Sequence, residues 1–467
     1  MKKFKKLLLL IVLIPVVFVF CACSKYVVDI TKDGSTNIYT VSYSDGTKDN
    51  LLVKDGEDGK NVSIEELYEV AQNNGYTGTI LEFMKEYLSS TVSAEDKETL
   101  ATNRALMSTV CVFVEYTVTS SNFWSGETKD LSIGAGAGII FDINKTTGDA
   151  YIMTNYHVVY NTASDRADKM ASKIVCFLYG SPIERTKADE LDANGYPVVN
   201  YNEYAIECEF YGGSMEYDIA VLKVTNSEVI KSSSAMAVTF ADSNDIVVGN
   251  TAIAVGNPEG YGISCTKGII SVDSEYISML AADDTTKITT RVIRIDAAIN
   301  GGNSGGGLFN TKGELIGVVN SKMVDESIDN IAFAIPGNIA QRVAENIVRN
   351  ATAHNKKAYR GMLGLTLGIK NARVEYNDVT GATKIQDVYI QEISESGVAH
   401  KYSAIMVGDT IEKVYINGKV AIENVTNFHQ IVDLTWLLNK GDVVGLKLQG
   451  KEMVNIIMEE MAFSEVN

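Results

Sequence analysis

Between residues 101 and 350 the chain is a succession of short apolar runs separated by Gly, Asn and Asp; Val110-Cys111-Val112-Phe113 and Tyr151-Ile152-Met153-Thr154 are typical. Many short β-rich runs with regular turn signals point to an all-β barrel or sandwich. At the end of this region Ile339, Val343 and Ile347 recur at helical spacing, which predicts an amphipathic helix over 338–350. Residues 355–359 then read as a linker. From Arg360 to about 460 a mixed domain is expected, with strands, a helix near 425–438 and a hairpin turning at Gln449-Gly450-Lys451.

The 467 residues allow about three folding units. With 46% hydrophobic and 21% charged residues, the chain is neither globally disordered nor a polytopic membrane protein. Asp+Glu number 59 against 41 Lys+Arg, a net charge of -18. Such a surface repels phosphate backbones, so no nucleic-acid partner is expected.

The first residues read as an address. Lys2, Lys3, Lys5 and Lys6 precede an apolar stretch from Leu7 to Phe20, the layout of a secretory signal. That stretch is shorter than the roughly 20 residues a spanning helix needs. It ends in Phe20-Cys21-Ala22-Cys23-Ser24, which resembles a bacterial lipobox. The resemblance implies a signal peptide over 1–22 and a diacylated Cys23, hence a lipid-anchored protein on the extracytoplasmic side of the cell membrane. An uncleaved signal anchor is the alternative.

Residues 23–60 are polar and turn-rich, with one short hairpin expected around Ile38–Tyr43 and then a spacer. Over 61–92 two capping boxes, Ser63 with Glu66 and Thr79 with Glu82, predict two helices. Cys111, Cys176, Cys208 and Cys265 all sit in strand-like apolar runs, where reduced and buried thiols are expected, although export permits disulfides. No CxxC, HExxH or zinc-spaced Cys/His cluster occurs, so neither metal nor cofactor is expected. The acidic run Glu95–Glu98 reads as a solvated helix face. Gly134-Ala135-Gly136-Ala137-Gly138 lacks the last glycine of GxGxxG and precedes a strand and no helix, which argues against a dinucleotide site.

The chemistry gathers around Gly302-Asn303-Ser304-Gly305-Gly306, which fits GxSxG. An α/β-hydrolase needs a helix after that serine and the order Ser, Asp, His. Here glycines and strand-like runs follow instead. The order His, Asp, Ser of the chymotrypsin-like double barrel fits better. His157 is the only histidine between 101 and 350, so it is the candidate general base. Asp218 opens the apolar run Ile219-Ala220-Val221-Leu222, where a carboxylate needs a partner such as an imidazole N–H. Glycines around Ser304 let backbone N–H groups approach a substrate carbonyl.

The segments Thr154-Asn155-Tyr156-His157-Val158-Val159, Asp218-Ile219-Ala220-Val221-Leu222 and Gly302-Asn303-Ser304-Gly305-Gly306 resemble the catalytic motifs of the HtrA/Deg serine proteases. Gly256-Asn257-Pro258, Thr266-Lys267-Gly268-Ile269-Ile270-Ser271 and Ala332-Phe333-Ala334-Ile335-Pro336 extend the likeness. The resemblance implies a mainly β, chymotrypsin-like double barrel over 101–352 and an α+β PDZ domain over 359–462. It implies His157 as base, Asp218 as its orienter and Ser304 as nucleophile, with the amides of Gly302 and Ser304 as oxyanion hole. Arg360-Gly361-Met362-Leu363-Gly364-Leu365 resembles a carboxylate-binding loop, so Leu363, Gly364 and Leu365 are expected to hold C-terminal peptides. A homotrimer is implied as well.

The family pattern is not followed everywhere. Gly301 stands where the family usually has proline, predicting a looser loop ahead of the oxyanion residues. His157 and Asp218 are 61 residues apart, and Tyr160–Arg166 and Glu184–Asn202 are expected to supply the excess as surface loops. The primary pocket floor, about six residues before the nucleophile, falls on Ala298. Neither Ala298 nor Ile299 is charged, which predicts cleavage after small or aliphatic residues; Asp296 belongs outside the pocket. His354, His400 and His429 show no chemical partner. The expected function is a serine endopeptidase degrading misfolded or exposed exported polypeptides. The competing reading is a catalytically silent, protease-like chaperone or scaffold that binds peptides through its PDZ domain.

Overall fold

The computed structural model of the protein describes residues 27–32, 38–43, 48–52, 72, 94–122, 126–321, 330–377 and 381–466. The signal peptide, Cys23 and, Gln72 apart, the two helices expected over 61–92 lie outside the described residues. Among the described residues no helix is long and apolar enough to cross a membrane.

Strands β1 (Val27–Lys32), β2 (Ile38–Tyr43) and β3 (Lys48–Leu52) form an antiparallel meander. One hairpin was expected here. The third strand, Lys48-Asp49-Asn50-Leu51-Leu52, lacks apolar alternation and is defined by its pairing with β2, Thr40 opposite Asn50. This meander belongs to a compact unit ending at Thr99; residues from Leu100 onward form a second.

Helix α1 (Ala94–Ser108) carries the acidic run and continues further than expected, with Ala105 and Leu106 buried. Then come β4 (Thr109–Asn122), β5 (Gly126–Asn144), β6 (Asp149–Thr154), the one-turn α2 (Tyr156–Val159) and β7 (Lys173–Leu178). β8 (Arg185–Leu191), β9 (Pro197–Tyr201), β10 (Ile206–Ser214) and β11 (Ile219–Val224) follow. Six of these strands close a barrel in the order β10-β11-β6-β5-β4-β7. β8 and β9 form a hairpin of their own, so the segment expected as a surface loop is mostly paired ribbon. The Arg185 guanidinium, 4.7 Å from the Phe113 ring centre, roots that ribbon on the barrel.

After α3 (Glu228–Ser232), capped by Ser227 Oγ on the Ile230 N–H, a second sheet forms. Its strands are β12 (Thr239–Phe240), β13 (Thr251–Gly256), β14 (Ser264–Leu280), β15 (Lys287–Ile295), β16 (Gly307–Phe309), β17 (Glu314–Asn320) and β18 (Ala332–Pro336). The order is β12-β17-β16-β13-β14-β15-β18, and a further β17–β18 pairing closes six of them into a ring. The expected double barrel is therefore present. Helix α4 (Gly337–Asn350) follows, burying Ile339, Val343 and Ile347 as their spacing predicts. Burying each such side chain stabilises by about 1.5–3 kcal/mol.

The expected linker is packed rather than free. The Lys356 carbonyl accepts the Gly213 N–H at 2.8 Å, and a Cβ on Gly212 would lie 2.6 Å from that same oxygen. β19 (Ala358–Gly361) begins within it and pairs with the final strand β26 (Phe463–Val466). Between them lie β20 (Leu365–Asn377), β21 (Gly381–Ile393), β22 (Ile411–Ile416), β23 (Lys419–Ile422), α5 (His429–Leu434), β24 (Val443–Leu448) and β25 (Met453–Ile457). α5 is shorter than the helix expected over 425–438, its last turn tightening to a 3₁₀ turn at Thr435–Leu437. The hairpin at 449–451 is where it was expected.

Of the four cysteines expected to be buried, Cys111 and Cys176 are, Cys208 is half-buried and Cys265 is exposed. Cys265 lies near the start of β14, where the exposure pattern leaves the outer face uncovered.

Candidate active site

Strand register brings the histidine and aspartate together. β6 and β11 are antiparallel neighbours with Thr154 opposite Ala220. The chain leaving β6 and the chain entering β11 therefore meet at one end of the barrel, where His157 and Asp218 stand. Asp218 adopts φ 50, a left-handed conformation that Asp tolerates better than most residues. The turn presents its carboxylate to the base of α2. Oδ1 accepts the His157 backbone N–H at 2.9 Å, and Oδ2 lies 2.7 Å from His157 Nδ1. Asn320 Nδ2, arriving from β17, donates to the same Oδ2 at 2.5 Å. The Asp218 carbonyl accepts from Asn155 Nδ2 at 2.9 Å and the Tyr156 N–H at 3.2 Å. In a residue only 4% exposed, both carboxylate oxygens are thus partnered.

Ser304 comes from the second barrel, in the loop before β16. Two residues there need glycine. Gly302 has φ 90 and a Cβ on it would lie 2.2 Å from the Asn257 carbonyl oxygen; Gly305 has φ 82 and its Cβ would lie 2.2 Å from Thr154 Oγ1. The Ser304 carbonyl accepts the Ala137 N–H at 2.8 Å, tying the loop to β5. Its Oγ then lies 2.9 Å from His157 Nε2. Ser304 Oγ also meets Ser321 Oγ at 2.5 Å and accepts the Ser321 N–H at 3.1 Å.

At Gly301 the carbonyl accepts the Glu259 N–H at 2.8 Å, and the Gly302 carbonyl accepts the Asn257 N–H at 3.3 Å. Among the described residues, no acceptor stands opposite the N–H groups of Gly302 and Ser304. Ala298 is exposed, its carbonyl accepting from Thr266 Oγ1 at 2.9 Å. Asp296 is turned to β14, accepting the Ile269 N–H at 2.6 Å.

Three contributions were missed from sequence. The Gly/Ala run 134–138 lies inside β5 and does not precede a strand: a Cβ on Gly136 would be 2.7 Å from the Val158 side chain and 3.3 Å from the Ser304 carbonyl oxygen. Alternating small residues in a strand do signal close approach. Asn320 and Ser321 carried no motif of their own. Asn257 Nδ2, donating to the Gly136 carbonyl at 3.0 Å, links the loop's neighbour to β5.

A second cleft, about 350 Å³, is lined by Leu363, Gly364, Leu365, Arg360, Ile431 and Thr435, so the expected peptide-binding residues do line one groove. Arg360 Nη1 donates to the Tyr217 hydroxyl and Nε to Thr435 Oγ1 at 2.9 Å. Arg291 and Asp433 form a buried ion pair at 3.3 Å, yet burial pushes the Asp433 carboxyl up, outweighing the arginines around it. His429 is not partnerless: it hydrogen-bonds Ser274 Oγ at 3.2 Å and the Tyr276 hydroxyl at 3.0 Å. Burial pushes its pKa down to about 3.

Residues 136–318 match the trypsin-like peptidase domain family. The chain is 29% identical over 325 residues to the serine protease Do-like HtrA of Bacillus subtilis, covering 63% of this chain and 64% of that one. It is 32% identical over 321 residues to the serine protease Do-like HtrA of Lactococcus lactis, covering 65% of each. A probable periplasmic serine endoprotease, DegP-like, of Rickettsia conorii is 31% identical over 283 residues, 60% of this chain and 45% of that one. The chain thus spans a little under two thirds of the length of the first two relatives. Two closed barrels with histidine and aspartate on one and serine on the other, together with the family match, define a trypsin-like serine peptidase domain. Within that class the relatives it resembles in sequence include serine proteases named Do-like HtrA.

Proposed function

We propose that this chain is a serine endopeptidase that cleaves misfolded or exposed exported polypeptides at the cell envelope. The observation that carries the reading is the unbroken chain of contacts from Asp218 through His157 to Ser304, at 2.7 and 2.9 Å. An ionised carboxylate only accepts, so Nδ1 carries the imidazole proton and Nε2 is left as acceptor for the Ser304 hydroxyl. Ser304 Oγ attacks the scissile carbonyl carbon as its proton passes to Nε2. The developing oxyanion falls to the Gly302 and Ser304 N–H groups, and Nε2 returns the proton to the leaving amine. Water then releases the acyl group by the same route. Ala298 as an uncharged pocket floor favours small or aliphatic residues before the cut.

The last domain acts as a PDZ module in this reading. Leu363, Gly364 and Leu365 line the groove, with φ 78 at Gly364, and a C-terminal peptide is expected to lie there as an added strand. The envelope location rests on the signal-like start of the chain and on the periplasmic relative.

The test is β-casein digestion by the protein lacking residues 1–22, beside its Ser304→Ala variant. Cleavage by the first and none by the second is expected. Equal cleavage by both would remove Ser304 from the role. Silence in both, with and without an added hydrophobic C-terminal peptide, would favour the scaffold reading.

A further inference from the structure

Ser304 Oγ has more partners than an attacking hydroxyl can keep. We propose that Ser321 caps the nucleophile: its side-chain hydroxyl holds Ser304 in a resting state and must turn away before attack. This rests on the reading of Ser304 as nucleophile.

The argument is a count of protons and lone pairs. A serine hydroxyl has one proton and two lone pairs. With Nδ1–H committed to Asp218, the Ser304 proton points to His157 Nε2 at 2.9 Å. The Ser321 backbone N–H, at 3.1 Å, can only donate, and fills one lone pair. Ser321 Oγ, at 2.5 Å, must then donate its own proton and fills the other. No lone pair is left for a carbonyl carbon. Were the hydroxyl pair reversed, Ser304 would give its only proton to Ser321, and His157 would have nothing to abstract. Both arrangements are unreactive, so the conclusion does not depend on which hydroxyl donates.

The contact is built by register. β16 and β17 pair with Gly307 opposite Val318. Carried three residues further out, that register sets Ser304 opposite Ser321. The backbone N–H of Ser321 is held at the end of β17, which stops one residue earlier, whereas a serine hydroxyl turns about χ1 among staggered positions. The hydroxyl is therefore the removable half of the cap.

The experiment is a time course of labelling by a fluorophosphonate, with wild type, Ser321→Ala, Ser321→Thr and Ser304→Ala compared. In this reaction the Ser304 Oγ–P bond forms, the P–F bond breaks, fluoride leaves and the hydroxyl proton goes to His157. Ser321→Ala should raise the maximal labelling rate about 2- to 10-fold, the span expected for releasing one neutral hydrogen bond. The half-saturating probe concentration should not change. Ser321→Thr, which keeps a hydroxyl, should return toward the wild-type rate; this also guards against a folding defect in the alanine variant. Unchanged or slower labelling of Ser321→Ala, with Ser321→Thr like wild type, would overturn the cap. Labelling of Ser304→Ala at the wild-type rate would overturn the nucleophile assignment instead, and the cap with it.

Discussion

In the first barrel, His157 and Asp218 stand just beyond a continuous antiparallel ladder, and the pairing of Thr154 with Ala220 sets where they meet. In the second, Ser304 sits in a loop shaped by Gly302 and Gly305 and by scattered hydrogen bonds to Ala137, Val319, Asn257 and Glu259. The ladder tolerates changes in the side chains it presents, because its geometry is made by backbone pairing over many residues. The loop tolerates almost none at Gly302 and Gly305, where a Cβ would run into the Asn257 carbonyl oxygen and into Thr154 Oγ1 and the Ala137 carbonyl oxygen. One half of the site is thus sensitive in its chemistry and the other in its shape.

The sharpest way to separate the two is Asp218→Asn. Asparagine accepts φ 50, so the fold should be kept and the melting temperature should move by no more than a few degrees. Casein cleavage should fall roughly 10³- to 10⁴-fold, as the imidazole loses the partner that fixes its tautomer. A loss below about tenfold would mean that the ladder half is not where the chemistry is held.

Gly305→Ala probes the loop. Its Cβ would lie 2.2 Å from Thr154 Oγ1 and 2.3 Å from the Ala137 carbonyl oxygen. Activity should fall by about 10²-fold or more, together with a lower melting temperature. Normal stability with normal cleavage would break the comparison.

Asn320→Ala removes a side chain that reaches from the second barrel to the Asp218 carboxylate. Hydrogen bonds to charged groups are worth about 1.5–3 kcal/mol, so kcat/KM should drop at least tenfold with KM little changed. An unchanged kcat would show that Asp218 is oriented by its own barrel alone.

The smallest effect concerns neither half. His429, held near pKa 3 in the fold, takes up a proton only when unfolded across the range below about 6.5. Folding stability should therefore fall as pH drops from about 6.5 toward 3, by less than about 1.4 kcal/mol per unit for a half-buried ring. Thermal melts of wild type and His429→Gln between pH 7 and 4 should converge at the acid end. Parallel curves would dismiss His429 as a source of acid sensitivity.

The three reacting residues were legible because each lies in a short string with its own strand pattern, and because one histidine served the whole β region. Asn320 and Ser321 were not, since their role comes from the β16–β17 register carried past the end of the strands. Pairing also made β3 and the β8–β9 ribbon, whose sequences are too polar to announce strands. The start of the β region was misplaced for a related reason: Ala101 to Ser108 complete a helix whose apolar residues are decided by the core they meet. His429 shows no partner in the sequence because Ser274 and Tyr276, which it bonds, lie more than 150 residues away.

Trp436 belongs to the last domain by sequence, yet it is 1% exposed in the same apolar cluster as Ile139, Val221, Phe309 and Ile347. Its indole stands edge-on to Tyr217, the residue before Asp218, with ring centres 5.0 Å apart. The boundary near residue 355 is therefore not a seam along which the molecule can be cut. A chain stopped there would leave the barrels with an open socket where the indole had been, and would face water with a surface evolved to be interior.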